Sequence, residues 1–413
     1  MSMEYQPTDD RIAYNRDRLV FHTSIVRKPI QGLNSFDKQT GIFAKVDIAA
    51  GTLLEKETVH VTAVAFIDNP NLEAILKSAL DDLYLYKLWM NALYGDLKRH
   101  SRVKAWFREY AIPLYSHRSE RYNGEDFEKV GFFATLSLFR HGCLPNAHFS
   151  CNPKTRLAAI HTTHNVRAGE EITVTYLPAS SYDTRWVPDG LAVLKQTFGM
   201  TCTCPLHSNE GFLLQAYKTG FNQEREDRLL LQNDAFIDYP ELLATMDRIR
   251  KVYMQYKVVD VRLFRMYEEA IATACSNGDL ARAAVFAFYA KKSYALLEGA
   301  GSVYGTSVAK MHIYKNNTAS HPKHKSGGQW ASCTTQIPRA FGRDSTMLST
   351  GMKNWLWMRG DWRTLLHGTE EYRNRTGLNG PIPFASFDSE DEVVPFDIDA
   401  RLGPWDEVYP KYI

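Results

Sequence analysis

No apolar run in the 413 residues reaches the roughly 18 needed to cross a bilayer, the longest candidate lying near Val61 to Ile67. A transmembrane protein is therefore not expected. The start, MSMEYQPTDDR, lacks the basic flank and hydrophobic stretch of a secretory signal, so the mature chain is read as beginning here, intracellular, in the cytoplasm or nucleus. Cysteine is scarce: six residues, not paired along a secreted framework, exclude a disulfide scaffold. Charge of one sign is also missing. Lys plus Arg number 49 against 47 Asp plus Glu, net +2, so bulk charge makes no case for direct nucleic-acid binding.

What is present is the composition of a folded protein, 44% hydrophobic, 12% aromatic and 23% charged. At about 100 to 200 residues per domain, two or three domains are expected. The charge is uneven: residues 388–413 hold eight acids and two bases, leaving the first 387 residues at +8. This acidic tail reads as solvated and partly extended, with cover for a basic or cationic-substrate surface as the alternative.

Short apolar runs between turn residues read as strands at 24–30, 41–48 and 52–66. From Asn69 to Tyr110 the spacing turns helical, with Leu72, Ile75, Leu76, Leu80, Leu83, Leu85 and Leu88, and this stretch has no cysteine. A further helix is predicted from Glu125 to Arg140, and strands again in LAAIHTTHNV and EEITVTYL. Beyond residue 225 amphipathic helical patterns dominate, and the NGDL turn between Ala274 and Ala281 predicts an αα-hairpin.

The cysteines that cluster are Cys202 and Cys204, in TCTCPLH with His207, which is C-x-C-x-x-H. Thiolate and imidazole are the ligands tetrahedral zinc prefers, so one loop offers three, and a fourth must come from elsewhere. Cys151, Cys275 and Cys333 have no clustered partners and read as small buried residues. His161 and His164 have metal-like spacing, but on a strand they would point to opposite faces and read as structural or exposed. LKRHSRVKAWFR at 97–108 reads as a charged helix face, and HPKHKSGG at 321–328 as a flexible loop.

Four ordered segments carry a resemblance. Gln39-Thr40-Gly41, Arg140-His141-Gly142-Cys143-Leu144-Pro145-Asn146, Gly169-Glu170-Glu171-Ile172-Thr173-Val174-Thr175-Tyr176 and Cys202-Thr203-Cys204-Pro205-Leu206-His207 resemble the motifs of the SET-domain family of S-adenosylmethionine-dependent lysine methyltransferases. The resemblance spans about residues 20–210. It implies an α+β fold. A SET domain over 1–210 would carry a helical insertion at about 68–130 and a post-SET zinc loop at about 198–208. A tetratricopeptide-like helical C-terminal domain over 225–375 and the acidic tail over 376–413 would follow. The branch of the family with a split SET domain usually has a cysteine-rich MYND finger in the insertion, and residues 60–130 contain no cysteine to build one.

The resemblance also implies roles. Gly41, Ile42 and Phe43 correspond to a turn whose backbone approaches the cofactor, with Gln39 in place of a first glycine. Arg140 stands where the family has an Asn that contacts the cofactor, and either reaches the cofactor carboxylate or fills the pocket; His141 would present its backbone to the adenine. Tyr176 corresponds to the active-site tyrosine that orients the attacking amine, and Phe198 to an aromatic lining the channel. Cys143 joins Cys202, Cys204 and His207 as the zinc set. The expected activity is methyl transfer from S-adenosylmethionine to a lysine of a protein substrate, with a second protein partner possible on the helical half. The alternatives are a SET-derived scaffold that binds a partner without methylating, and a pocket repurposed for a small molecule.

Overall fold

The computed structural model describes residues 22–30, 40–59, 61–64, 111–114, 129–133, 135–151, 156–177, 191–192, 194–195, 200–202, 204, 212–232, 237–299, 318–326, 330–333, 337 and 353–359. The expected insertion helix over 69–110, the basic segment at 97–108, Gln39, Phe198, His207 and the acidic tail lie outside them.

Three small sheets form the first half. Strands β1 (Ile25–Pro29), β2 (Thr40–Ala44), β10 (Glu171–Val174) and β7 (Arg140–His141) make one sheet in the order β1-β2-β10-β7. A second joins β3 (Leu53–Thr58), β9 (Leu157–Thr162) and β8 (Ala147–Cys151), and a third joins β4 (Val61–Val64), β6 (Lys129–Phe132) and β5 (Ile112–Pro113). The register of the first sheet matters most. Ile42 faces Ile172 across the antiparallel pair, while Thr173 and Val174 run parallel beside Arg140 and His141. Side chains alternate across a strand, so Ile42, Ile172, Val174 and His141 share the inner face, and Gly41, Phe43, Glu171, Thr173 and Arg140 share the outer one. The inner residues are buried and belong, with Ile25, Leu54, Phe132 and Tyr176, to this half's interior.

The helix expected from Glu125 to Arg140 is not formed. Lys129–Phe132 is strand β6, Leu136–Leu138 a single 3-10 turn, and Arg140–His141 strand β7. The reason is burial without a solvent stripe: Phe132, Phe133, Leu136, Leu138 and Phe139 are all fully enclosed, leaving no polar face for a surface helix. Gly131 adds a close approach, since a Cβ there would come within 2.8 Å of Val59 and 2.9 Å of Leu114. The short β5 and β6 likewise fall inside or at the edge of the stretch read as helical insertion.

The second half is helical. Its first helix, α1 (Phe212–Gln232), begins before residue 225, where the composition changes, and α2 (Tyr239–Gln255), α3 (Val261–Ser276) and α4 (Leu280–Glu298) follow. Each of the last three starts on an aspartate: Asp238 accepts from the Glu241 N–H, Asp260 from Arg262 and Asp279 from Arg282. The expected hairpin is present, with Asn277 ending α3, Gly278 at φ +73° and Asp279 capping α4. Asp279 is fully buried. Its carboxylate also accepts from Arg282 at 2.6 Å, the Tyr239 hydroxyl at 3.0 Å and the Ser332 hydroxyl at 2.6 Å. Helix α4 lies against β8 and β9.

Three smaller expectations change. Cys333 is exposed, whereas Cys151 and Cys275 are buried. The segment read as a loose loop is fastened over residues 318–326, because the Lys325 N–H donates to the Cys275 carbonyl at 3.1 Å and the Cys275 thiol to that of Thr318 at 3.7 Å. His161 and His164 are not on opposite faces of one strand, since β9 ends at Thr162.

Candidate active site

The parallel contact of β7 with β10 brings two distant segments together, and Asn146 locks it. Its side-chain amide donates to the Glu170 carboxylate at 3.0 Å and the Glu171 carbonyl at 2.9 Å, while its oxygen accepts the Thr173 N–H at 3.0 Å. Both N–H groups and the oxygen of one amide are thereby aimed at β10 and the residue before it. Sequence reading quoted Asn146 only as part of a motif; its place beside Pro145 gave no sign of this clasp.

On the inner face, the Tyr176 N–H donates to His141 Nδ1 at 2.9 Å, and the Tyr176 hydroxyl donates to the Phe139 carbonyl at 2.7 Å. Tyr176 is completely enclosed. Because Nδ1 accepts, a neutral His141 ring carries its proton on Nε2, which lies 3.2 Å from Cys143 Sγ and donates to it. One imidazole therefore connects the expected catalytic tyrosine to the cysteine cluster.

That cluster comprises Cys143, Cys202 and Cys204. The Cys143 and Cys202 sulfurs are 3.7 Å apart, and Cys204 is within hydrogen-bonding contact of both. A tetrahedral zinc at about 2.3 Å from each sulfur sets its sulfurs about 3.8 Å apart, so the spacing fits such an ion. The chemistry of the donor set fits too. Contact with Cys202 and Cys204, reinforced by burial, holds the Cys143 thiol well above the ordinary range. Contact with Cys143 lowers the Cys202 thiol, yet contact with Cys204 and burial outweigh this and push it up to about 12. Three crowded sulfurs ionise together only beside a cation. His141, Cys143 and Cys202 place donor atoms within 4.8 Å of one another, but the proton on Nε2 makes His141 a donor to sulfur rather than a metal ligand. Cys143 also belongs to the helical half's interior, against which Cys202 and Cys204 lie partly buried.

The outer face differs. Arg140 Nη1 reaches Glu171 Oε1 at 3.3 Å, both side chains being partly exposed. Burial raises the Glu171 carboxyl above its usual range, against the lowering effect of Arg140. The Glu171 carboxylate lies over Gly41, where an added Cβ would meet Oε1 at 2.5 Å. Gly142 is constrained likewise, a Cβ there meeting Thr173 Oγ1 at 2.6 Å and Thr173 Cβ at 3.0 Å. Gly41, Arg140, His141, Cys143 and Tyr176 are thus assembled around β2, β7 and β10, with Ile42 turned into the interior and Phe43 on the outer face beneath Lys28. The pairing of Glu171 with Arg140 escaped sequence reading, since only strand register relates them.

Residues 39–177 match the family model described as the SET domain. Histone-lysine N-methyltransferase set5 of Schizosaccharomyces pombe is 24% identical over 287 residues, covering 69% of this chain and 83% of the relative. Among solved structures, the SET domain of LSMT bound to lysine and AdoHcy is 11% identical, covers 71% of this chain and 88% of its own, and has a TM-score of 0.24. A histone methyltransferase structure from Plasmodium falciparum is 14% identical, covering 38% of this chain and 96% of its own at a TM-score of 0.20.

Proposed function

We propose that this chain, whose residues 39–177 match the SET-domain model, transfers a methyl group from S-adenosylmethionine to a lysine of a protein substrate. The observation that carries the reading is the meeting of Gly41, the Arg140-to-Asn146 segment and Tyr176 on one small sheet. When bound, the cofactor supplies an electrophilic methyl on sulfur. The chain's own groups then have three tasks. The enclosed site disfavours the charged lysine amine, whose pKa of about 10.4 in water falls on desolvation. The Tyr176 hydroxyl, its proton given to the Phe139 carbonyl, keeps oxygen lone pairs that can accept from the amine and aim it. Gly41 lets the β2 backbone come close to the cofactor.

In the same reading Cys143, Cys202, Cys204 and His207 hold one zinc, which fastens the loop after residue 198 against the Arg140-to-Asn146 segment, and Phe198 lines the lysine channel. Elemental analysis should find about one zinc per chain. The helical half, whose likeness to tetratricopeptide repeats is part of this proposal, offers a wall for a protein substrate or partner. None of the described helices is long and apolar enough to cross a membrane. Of the two places of action expected, nucleus and cytoplasm, the histone-directed name of the yeast relative supports the nucleus.

Two observations favour a second reading, a scaffold that no longer methylates: the Arg140–Glu171 pair covers Gly41, and the Tyr176 hydroxyl is committed and enclosed. Titration with S-adenosylmethionine, followed by transfer of labelled methyl to histones, separates the two. Binding and transfer, with transfer lost in Tyr176→Phe, support the enzyme; absence of binding sinks it.

A further inference from the structure

Arg140 and Glu171 are the only oppositely charged pair described on the outer face of the first sheet, and their contact is unlike a finished structural ion pair. It is a one-point contact at 3.3 Å, longer than the roughly 2.7 to 2.9 Å of a charge-assisted bond and without bidentate geometry. Both groups are partly withdrawn from water, with side-chain exposures of 18% and 26%. Glu171 is anchored through its backbone, whose carbonyl accepts from Asn146, leaving the carboxylate free to turn. Lys28, opposite Gly41 on β1, is directed over the Phe43 ring at 5.6 Å, so the nearby cation is otherwise engaged. The carboxylate occupies the space above Gly41 that a Cβ would fill.

A ligand entering above Gly41 must part this pair. An anionic ligand would satisfy Arg140 and strand Glu171; a cationic one would do the reverse. A group carrying both charges a few ångströms apart satisfies both, so the pair exchanges one mutual contact for two. The α-amino-acid end of S-adenosylmethionine is such a group. We propose that Arg140 and Glu171 form a clamp that selects the zwitterionic end of the cofactor, Arg140 taking its carboxylate and Glu171 its ammonium. The proposal rests on the methyltransferase reading and adds a specificity determinant, Glu171, to it.

Calorimetric titration of the full chain tests the clamp without any mutation. S-adenosylmethionine should bind at least about 30-fold more tightly than its decarboxylated analogue, which keeps the ammonium and the sulfonium but leaves Arg140 without a partner. Glu171→Gln and Arg140→Gln should each weaken S-adenosylmethionine roughly tenfold, and Arg140→Gln should abolish the discrimination against the analogue. Equal binding of the two ligands by the wild-type chain overturns the clamp while leaving the cofactor assignment standing. Tighter cofactor binding in Glu171→Gln also overturns it, since Glu171 would then be only an obstruction. No binding of S-adenosylmethionine by the wild-type chain overturns both the clamp and the reading beneath it.

Discussion

Arg140 and His141 are neighbours on one two-residue strand and work in opposite ways. His141 points inward, and its two nitrogens meet the Tyr176 N–H and the Cys143 sulfur. Arg140 points outward to a single contact at 3.3 Å on the partly exposed Glu171 carboxylate. The inner side of the sheet is built of buried bonds, the outer side of one partly exposed contact that the proposed clamp would exchange for a ligand. Period-2 alternation alone separates a buried, fully bonded side chain from a partly exposed one within one peptide unit.

Cys143→Ser should break the inner side most severely. Loss of more than about 4 kcal/mol in denaturant unfolding is expected, together with loss of zinc, because metal bound by such a loop is also folding energy. A second buried imidazole sharpens the contrast. His161 lies within 2.8 Å of where a Cβ on Gly299 would stand, and its Nδ1 has no hydrogen-bond partner among the described residues. Burial pulls its pKa from 6.5 to about 4. Since the folded value is the lower one, its contribution is present above about pH 6.5 and is lost as pH falls from there towards 4, on the order of 3 kcal/mol. The pH dependence of urea midpoints should flatten in His161→Gln.

His141→Leu removes the acceptor for a buried N–H and should cost roughly 1 to 3 kcal/mol. Tyr176→Phe should cost only about 1 kcal/mol in stability while most turnover disappears, the cofactor still binding. Replacing Arg140 by Gln should change stability least, by less than about 1 kcal/mol, because the pair is partly exposed. A large loss there would mean that the outer side is as structural as the inner one.

The sequence made the chemistry-bearing segments legible because they are contiguous: Arg140 to Asn146, Gly169 to Tyr176, and the paired cysteines. The αα-hairpin was legible because Asn277, Gly278 and Asp279 are local stop and start signals. What failed was long-range. The stretch from Lys129 to Phe139 looked helical because a strand and a 3-10 turn enclosed on all sides leave no alternation to read. The Arg140–Glu171 contact spans 31 residues and depends on a parallel register with no signature in composition. The link from His141 to the cysteines was hidden for the same reason: the resemblance assigned His141 a backbone role, and only the fold shows its ring at work.

Asp279 has a consequence for the order of assembly. Its bond to Arg282 spans three residues, that to Tyr239 forty and that to Ser332 fifty-three. Loop-closure entropy grows only logarithmically, so the two long closures differ by roughly 0.3 kcal/mol and chain length does not decide between them. The order is set by what each arm brings. Tyr239 arrives on α2, a helix whose buried face includes Leu243, Met246, Ile249 and Tyr253, whereas Ser332 arrives on a short segment with an exposed cysteine beside it. These arms predict that the local turn closes first, the α2 arm second and the 330–333 segment last, and the expected outcome is that Ser332→Ala speeds unfolding while leaving the refolding rate unchanged.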